Sequence, residues 1–297
     1  MAMNRRDIPS YEFHDYGQEN LRRQGVMAIP FEVSVAMEPR RLRPHYHDFF
    51  QVFRIVGPCR LMHDFREFHL TGTNAVFVSP GQVHTLHPGG GMQGVQVSFT
   101  QDFFDHGTPP PSGLTEFPFL LHSGAEPFLP LPEPDTHGIS PVFAELQQEY
   151  DRALPKAGEM LRALLLVLCV RIHRLLLETR PHPGNSRASQ VTGQFTLAVE
   201  HHFREKWTVA DYARHLHLTP NHLNDTVREQ TGHSAGELIR RRILLDARRL
   251  LLHSELGVAE IAYQLGFPDP SYFSRFFRRA DGRTPAAFRQ EIREKYH

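Results

Sequence analysis

The sequence predicts two domains, an all-β barrel with appended helices followed by an all-α domain. Three observations predict this arrangement. The chain has 297 residues, about twice the ~150 residues of a typical domain. Short strand-like runs separated by glycine and proline extend from Phe31 to about Phe104, whereas no convincing strand follows residue 190. The region after residue 190 also repeats one helical pattern.

The composition is that of an ordinary globular protein. Hydrophobic residues make up 40% and charged residues 22%, which excludes a disordered chain and a coiled-coil rod. The 33 basic and 33 acidic residues cancel, but zero net charge does not exclude nucleic-acid binding, because a basic domain can lie beside an acidic one. Cys59 and Cys169 have no CxxC spacing, so we expect a protein of the reducing cytoplasm.

The predicted barrel domain covers residues 1–180. Its strand-like runs include residues 51–56, 75–78 and 94–99, and such short, closely spaced strands are typical of a barrel or sandwich. A proline-rich irregular segment follows at 107–134, and the chain turns helical from residue 140 to residue 179.

The last helix of this domain, expected at 159–178, is too apolar to be exposed all round. Charged residues interrupt it, so it is too short to span a membrane, and residues 1–17 lack the apolar core of a signal peptide. If one face packs on the barrel, Leu166, Val167, Val170 and Leu177 stay partly uncovered, which predicts a homodimer. Alternatively, the proline-rich segment covers this face within one chain.

Residues 181–190 have the composition of a linker, and residues 191–297 form the predicted helical domain. The matched segments of its internal repeat are 208–213 with 257–262, 219–224 with 269–274, and 231–232 with 281–282. Each copy contains a short helix, a tight turn, and a second helix that begins with a capping residue and proline and ends at glycine. This pattern predicts two helix-turn-helix units rather than two ordinary helical hairpins of a bundle.

A continuous helix, expected at 237–252, connects the two copies. A helix of about 15 residues is roughly 22 Å long. With its flanking turns it can hold two recognition helices about one turn of DNA, ~34 Å, apart. The helical domain is therefore expected to bind double-stranded DNA.

The helical domain resembles the AraC/XylS (arabinose-regulator) family over about residues 196–292. The residues that carry the resemblance are Arg-Ile-Leu-Leu-Asp-Ala at 242–247, Leu-Leu at 250–251, Val-Ala-Glu-Ile-Ala at 258–262, Gly-Phe at 266–267, Ser-Tyr-Phe-Ser-Arg-Phe-Phe at 271–277, Gly282 and Thr-Pro at 284–285. The resemblance implies a bacterial transcriptional regulator, an activator acting with RNA polymerase, that dimerises through its N-terminal domain. His217 departs from the family, which usually has glycine in the first turn.

The resemblance also points to the residues that contact DNA. In the first recognition helix they are Asn221, His222, Asn224, Asp225 and Arg228, and in the second they are Ser271, Ser274, Arg275, Arg278 and Arg279. Asn224 can pair with adenine and Arg275 with guanine, whereas the other arginines are placed to meet phosphate. Asp225, where the family often has a basic residue, repels phosphate but can accept from cytosine N4. For Arg278 and Arg279 a solvated helix face is the alternative.

Three histidines of the barrel resemble the two motifs of the cupin barrel. His45, His47, Phe49, Gln51 and Phe53 lie on one face of a strand by alternation, and His84 follows another strand. Metal-binding cupins have two histidines, a glutamate and a third histidine at the matching positions. Gln51 stands at the glutamate position and is a weak ligand.

We considered three interpretations of this barrel. The favoured one is a metal-free pocket in which these six residues bind a small-molecule effector, so that neither a cofactor nor catalysis is expected. The second is a metal bound by His45, His47 and His84, and the third is a barrel without a ligand. A metal-dependent cupin enzyme or metal sensor is the alternative of a different class. The missing carboxylate and the attached DNA-binding domain argue against it.

Overall fold

The computed structural model describes residues 10–13, 24–105, 114, 117–120, 126–179 and 187–296. The chain divides into two compact units, which we call the β domain (Pro9–Pro181) and the helical domain (His182–His297). Each unit is described by itself.

Two antiparallel sheets dominate the β domain. In the five-stranded sheet the order is β10 (Phe128–Pro130), β7 (Thr73–Val78), β4 (Phe50–Val56), β9 (Gln93–Phe99) and β2 (Val26–Pro30). In the three-stranded sheet it is β6 (Arg66–Leu70), β5 (Cys59–His63) and β8 (His84–Pro88). A short parallel pair joins β1 (Ser10–Tyr11) to β3 (Tyr46–His47). The strands expected at 51–56, 75–78 and 94–99 are confirmed.

The central strand β4 contributes to two cores because its side chains alternate. Val52 points into a core shared with the helices of the domain. Phe53 and Ile55 point into a second core, where they pack with Leu61 of β5 and Leu86 of β8. The five-stranded sheet therefore has helices on one face and the three-stranded sheet on the other.

Four helices complete the described part of the β domain. They are α1 (Phe31–Met37), α2 (Gln101–Asp105), α3 (Ile139–Arg152) and α4 (Ala157–Thr179). In α4, Leu161, Leu165 and Leu168 are fully buried in the core.

The opposite face of α4 carries uncovered apolar side chains. Leu166, Val167 and Leu177 are exposed. Val170, which was also expected to be partly uncovered, is half-buried and packs against the core. Much of the proline-rich segment, the expected alternative cover for this face, lies outside the described residues.

Seven α-helices and a short 3-10 helix (Phe203–Glu205) form the described part of the helical domain. In chain order, the α-helices are α5 (Arg187–His202), α6 (Val209–His215), α7 (Pro220–Thr231), α8 (Ala235–His253), α9 (Val258–Gln264), α10 (Pro270–Asp281) and α11 (Pro285–Tyr296). Of the expected linker 181–190, residues 181–186 lie outside the described residues, and 187–190 already belong to α5. These four residues include neither glycine nor proline, so nothing in them stops the helix.

Two buried carboxylates connect α8 to its neighbours. Asp246 of α8 accepts two hydrogen bonds from Arg204, at 3.0 and 2.8 Å. Asp281 at the end of α10 accepts from Arg248 of α8 at 2.8 Å and from Arg283 at 2.7 Å. Burial raises the pKa of Asp281, but the hydrogen bonds from Arg283 and Arg248 outweigh it, so the pKa lies below its ordinary value.

We expect Asp281→Ala to lower the free energy of unfolding of the helical domain by roughly 2–4 kcal/mol, because it removes the buried carboxylate that accepts from both Arg248 and Arg283. Urea unfolding of the full chain measures this. The control is Glu255→Ala, whose carboxylate is 74% exposed and pairs with Arg293. It should cost less than about 1 kcal/mol. Equal losses in the two variants would contradict the structural role of Asp281.

Candidate nucleic-acid interface and effector pocket

Helices α6 and α7 form the first helix-turn-helix unit. A capping box starts α6, since Thr208 Oγ1 accepts from Asp211 N at 3.3 Å and Asp211 Oδ2 accepts from Thr208 N at 2.8 Å. Thr219 Oγ1 caps α7 by accepting from His222 N at 3.2 Å. Helix α7 ends at Gly232, whose φ of 74° is left-handed.

Helices α9 and α10 repeat this construction. Glu260 Oε2 accepts from Gly257 N at 2.6 Å, Asp269 Oδ1 caps α10 by accepting from Tyr272 N at 2.8 Å, and Gly282 ends α10 with φ 91°. The predicted pair of helix-turn-helix units, with its caps and terminal glycines, is confirmed.

The two turns differ in the residue that adopts a left-handed backbone. His217 has φ 56° in the first turn and Gly266 has φ 80° in the second. A Cβ on Gly266 would lie 2.9 Å from the carbonyl oxygen of Arg204, so the second turn has no room for a side chain. The first turn places the His217 side chain on the surface, and histidine tolerates this conformation better than most residues.

Most of the DNA-contact residues expected from the sequence lie on accessible helix surfaces. In α7, Asn221, His222, Asp225 and Arg228 are exposed, and in α10, Ser271, Arg275, Arg278 and Arg279 are exposed, whereas Ser274 is half-buried.

Asn224 is placed differently from the expectation. It is half-buried, and its Oδ1 accepts a hydrogen bond from Ala235 N, at the start of α8, at 3.2 Å. The side chain therefore joins α7 to α8. The amide oxygen that bidentate pairing with adenine would use is therefore already engaged within the protein.

Sequence reasoning missed Tyr272. It lies in the first turn of α10, its side chain is 52% exposed, and the guanidinium carbon of Arg275 lies 6.0 Å from its ring centroid. The internal repeat held the signal, because Tyr272 occupies the position of His222, which was identified as a candidate.

The exposed faces of the two recognition helices carry different charge. Helix α10 presents Arg275, Arg278 and Arg279, whereas α7 presents Asp225 and Glu229 beside Arg228. Helix α10 therefore presents the more basic face of the two recognition helices.

In the β domain, the structure brings together the three candidate histidines. The ring centroids of His45 and His84 are 4.3 Å apart, those of His47 and His84 are 4.9 Å apart, and those of His45 and His47 are 6.3 Å apart. His47 Nε2 donates to Gln51 Oε1 at 2.8 Å, and Gln51 Nε2 donates to Ser98 Oγ at 3.3 Å.

A small pocket that opens to solvent lies beside this cluster. Its lining includes four of the six expected residues, which are His45, Gln51, Phe53 and His84. The other lining residues, which sequence reasoning missed, are Phe31, Ser34, Val35, Arg41, Leu86 and Gln96. Most of these come from α1 and the turn after it, a helix that the sequence analysis did not identify.

His47 and Phe49 do not line the pocket, contrary to the expected alternation. Strand β3 ends at His47 and β4 begins at Phe50, so a bend at residues 48–49 interrupts the period of two. The Phe49 ring stacks on His47 at a centroid distance of 4.0 Å and meets Phe13 edge-to-face at 5.2 Å. It belongs to the core that packs on the helices.

The three histidines are neutral at physiological pH. Burial, with a smaller contribution from the neighbouring His45, lowers the pKa of His47 to about 3. Burial also places the pKa of His45 and of His84 well below the ordinary value, with a further contribution from His84 on the first and His47 on the second.

The second interpretation was a metal ion bound by His45, His47 and His84. Among the described residues, no group of three or more His, Cys, Asp or Glu side chains is arranged to hold a metal ion. His47 Nε2 donates its proton to Gln51, so this nitrogen has no lone pair for a metal.

We expect the β domain to lose stability as the pH falls below about 6.5, the pKa of an unfolded histidine. The native pKa values are lower, so between about pH 6.5 and 3 the unfolded chain binds protons that the native chain does not. Each histidine then lowers the free energy of unfolding by up to about 1.4 kcal/mol per pH unit. Urea unfolding of the full chain across this range measures the slope.

The variant His84→Gln should reduce this slope by the share of one histidine. His69→Gln is the control, because His69 is exposed on β6, and it should leave the slope unchanged. A slope that is the same with and without His84 would show that its burial does not control the acid sensitivity.

Comparison with known proteins gives a consistent result for both domains. A family model described as a helix-turn-helix domain matches residues 212–291, and one described as an AraC-like ligand binding domain matches residues 29–168. None of the described helices combines the length and hydropathy of a membrane-spanning segment.

The chain is 27% identical over 161 residues to the regulatory protein PocR of Salmonella typhimurium. The aligned region covers 51% of this chain and 52% of PocR. It is 27% identical over 284 residues to the HTH-type transcriptional activator RhaS of Escherichia coli O81. This alignment covers 86% of the chain and 92% of RhaS. The match thus spans about half of the length of PocR.

Among solved structures, ToxT of Vibrio cholerae O395 has a TM-score of 0.42 at 16% identity, covering 90% of this chain and 96% of ToxT. The family models match the β domain and the helical domain separately, and they agree with the signature residues and the two helix-turn-helix units. The chain belongs to the AraC family of helix-turn-helix proteins with an AraC-like ligand binding domain.

Proposed function

We propose that the protein is a sequence-specific DNA-binding transcriptional regulator that responds to a small-molecule effector in its β domain. The observation that carries this proposal is the pair of helix-turn-helix units, each of which presents the exposed face of a capped recognition helix. The 19 residues of α8 extend about 28 Å, a length compatible with two helices that enter successive major grooves.

The two recognition helices, α7 and α10, each contribute base contacts and phosphate contacts in this proposal. Arg275 forms bidentate hydrogen bonds with guanine in the major groove, and Arg278 and Arg279 contact phosphate. In α7, Asn221, His222 and Asp225 read base edges, with Asp225 accepting from cytosine N4. Arg228 supplies the phosphate contact of that helix, and Ser271 and Ser274 contribute hydroxyl contacts in the second.

We further infer that the effector occupies the pocket lined by His45, Gln51, Phe53 and His84. Its binding favours one arrangement of the protein over another through different affinities for the two. We infer activation, with RNA polymerase as a partner, because RhaS, similar over most of its length, is named a transcriptional activator. A regulator that acts on DNA works in the cytoplasm, and no step of this function requires catalysis or a cofactor.

The proposed oligomer is a homodimer formed through α4. Leu166, Val167 and Leu177 give this helix an exposed apolar face, and such a patch is typical of a partner surface. A twofold axis beside this helix would bring the same apolar face of two chains into contact. Such twofold symmetry is the commonest arrangement of homodimers.

We expect Arg275→Ala to weaken binding of the full chain to its operator by roughly 1–3 kcal/mol and to relax the preference at one base pair. Arg279→Ala, one turn further along α10, should weaken binding to all sequences alike and reduce the salt dependence by about one counterion. Fluorescence anisotropy against a set of single-base operator variants at several salt concentrations measures both.

The control for this series is Arg152→Ala, because Arg152 is an exposed arginine of the β domain. It should change neither affinity nor selectivity. If Arg275→Ala binds every operator variant as selectively as the unaltered protein, α10 does not read the base that we assign to Arg275.

We expect Val167→Glu to convert a dimer of the full chain into a monomer, because it places a charge in the apolar interface. Light scattering measures the mass. Val33→Glu is the matched control, since Val33 is an exposed apolar residue of α1, and it should leave the dimer intact. A monomeric unaltered protein would exclude the dimer, and a dimer that survives Val167→Glu would move the interface to an edge strand.

A further inference from the structure

An exposed tyrosine lies at the start of the second recognition helix. Tyr272 belongs to the first turn of α10, where its backbone N donates to the capping Oδ1 of Asp269 at 2.8 Å. Its side chain is 52% exposed. The amino-terminal residues of a recognition helix are those that contact base edges in the major groove. The ring of Tyr272 is therefore presented where bases are read.

Neighbouring aromatic side chains hold this ring in place. The ring centroids of Tyr272 and Phe267 are 5.9 Å apart. Phe267 packs in turn against Phe273 at 5.2 Å and Phe276 at 5.1 Å, and Phe273 is fully buried. One side of the tyrosine ring is thus fixed to the core of the unit, so that little side-chain entropy is lost when its exposed side meets DNA.

Arg275 lies beside the same ring. Its guanidinium carbon is 6.0 Å from the ring centroid of Tyr272, at the outer limit of a cation–π contact. The two residues are three positions apart in α10, a rise of about 4.5 Å along the helix, compared with about 3.4 Å between successive base pairs. The two side chains therefore meet base pairs that lie within two steps of each other.

The chemistry of the ring favours one feature of the DNA bases. In the major groove, thymine presents an apolar group, its C5-methyl, which apolar and aromatic side chains contact. An exposed aromatic ring and a methyl group both gain free energy when contact between them removes water. A thymine methyl group is thus the base feature that fits the exposed part of Tyr272.

Exposure alone does not distinguish Tyr272 from other tyrosines. Tyr263 of α9 is 60% exposed, but α9 is the first helix of its unit, and the first helix crosses the DNA backbone rather than entering the major groove. The position on the recognition helix, together with the fixed ring and the adjacent Arg275, distinguishes Tyr272. Tyr263 is therefore a matched control with the same side chain.

We propose that Tyr272 is a specificity-determining residue that reads a thymine through its C5-methyl group, an inference that rests on the proposed DNA-binding function. The thymine lies within two base pairs of the guanine that Arg275 contacts. The exposed part of the ring packs against the methyl group, and the water removed from both surfaces supplies the preference for this base.

Deletion of single methyl groups from the DNA tests this contact. The probe is the duplex that the full chain selects from a pool of random sequences. Each thymine of this duplex is replaced in turn by deoxyuridine, which lacks only the C5-methyl group, and fluorescence anisotropy measures the affinity. One replacement, within two base pairs of the guanine whose preference Arg275→Ala relaxes, should weaken binding about fourfold, the effect of one buried methyl group.

Three variants assign this effect to its side chain. Tyr272→Ala should weaken binding to the thymine duplex about fourfold to tenfold and abolish the difference between thymine and deoxyuridine at that position. Tyr272→Phe keeps the ring and should keep the difference, as should the control Tyr263→Ala. If Tyr272→Ala fails to fold, the deoxyuridine series on the unaltered protein and on Tyr272→Phe still decides.

The proposal is overturned if no deoxyuridine replacement near the guanine weakens binding, or if the effect persists unchanged in Tyr272→Ala. A loss of affinity in Tyr272→Phe without any effect of deoxyuridine would also overturn it, because the hydroxyl would then contact phosphate. These results leave the proposed function intact, since the duplex is still selected. Failure of the full chain to select any sequence would overturn the proposed function itself.

Discussion

The buried ion pairs around α8 are the constraint on which the reading of DNA depends. Helix α8 connects the two helix-turn-helix units. Its Asp246 accepts hydrogen bonds from Arg204, and its Arg248 donates to Asp281 at the end of α10. Hydrogen bonds between ions are directional and strong. The separation and orientation of the two recognition helices are thus set by the protein before DNA is met, so little conformational entropy is lost on binding.

The β domain meets a different constraint, which is the burial of polar side chains between two sheets. Gln51, an amide, allows a neutral arrangement in which His47 donates to Gln51 and Gln51 donates to Ser98. A carboxylate at position 51 would add a charge to a site from which water is excluded.

Much of this structure could be predicted from the sequence, because helix caps and turns depend mainly on residues that are neighbours in the chain. Caps such as Thr219 and Asp269, with the proline after each, depend on neighbouring residues and were found where expected. Contacts made by folding were not predictable in this way. The bend that turns Phe49 into the core, the hydrogen bond of Asn224 with Ala235, and the approach of Arg41 and Ser34 to the histidines all depend on distant packing. Tyr272 could have been found by applying the repeat one position further.

The uneven charge of the recognition helices also has a kinetic consequence. Attraction to phosphate is independent of base sequence, and it lets a protein slide along DNA between binding sites. Since Arg275, Arg278 and Arg279 lie on one helix, the second unit would hold nonspecific DNA while the first unit, with its acidic residues, stays loosely engaged. During the search for its binding site the protein would then contact DNA mainly through the second unit. Stable binding would require a DNA sequence that both recognition helices can contact.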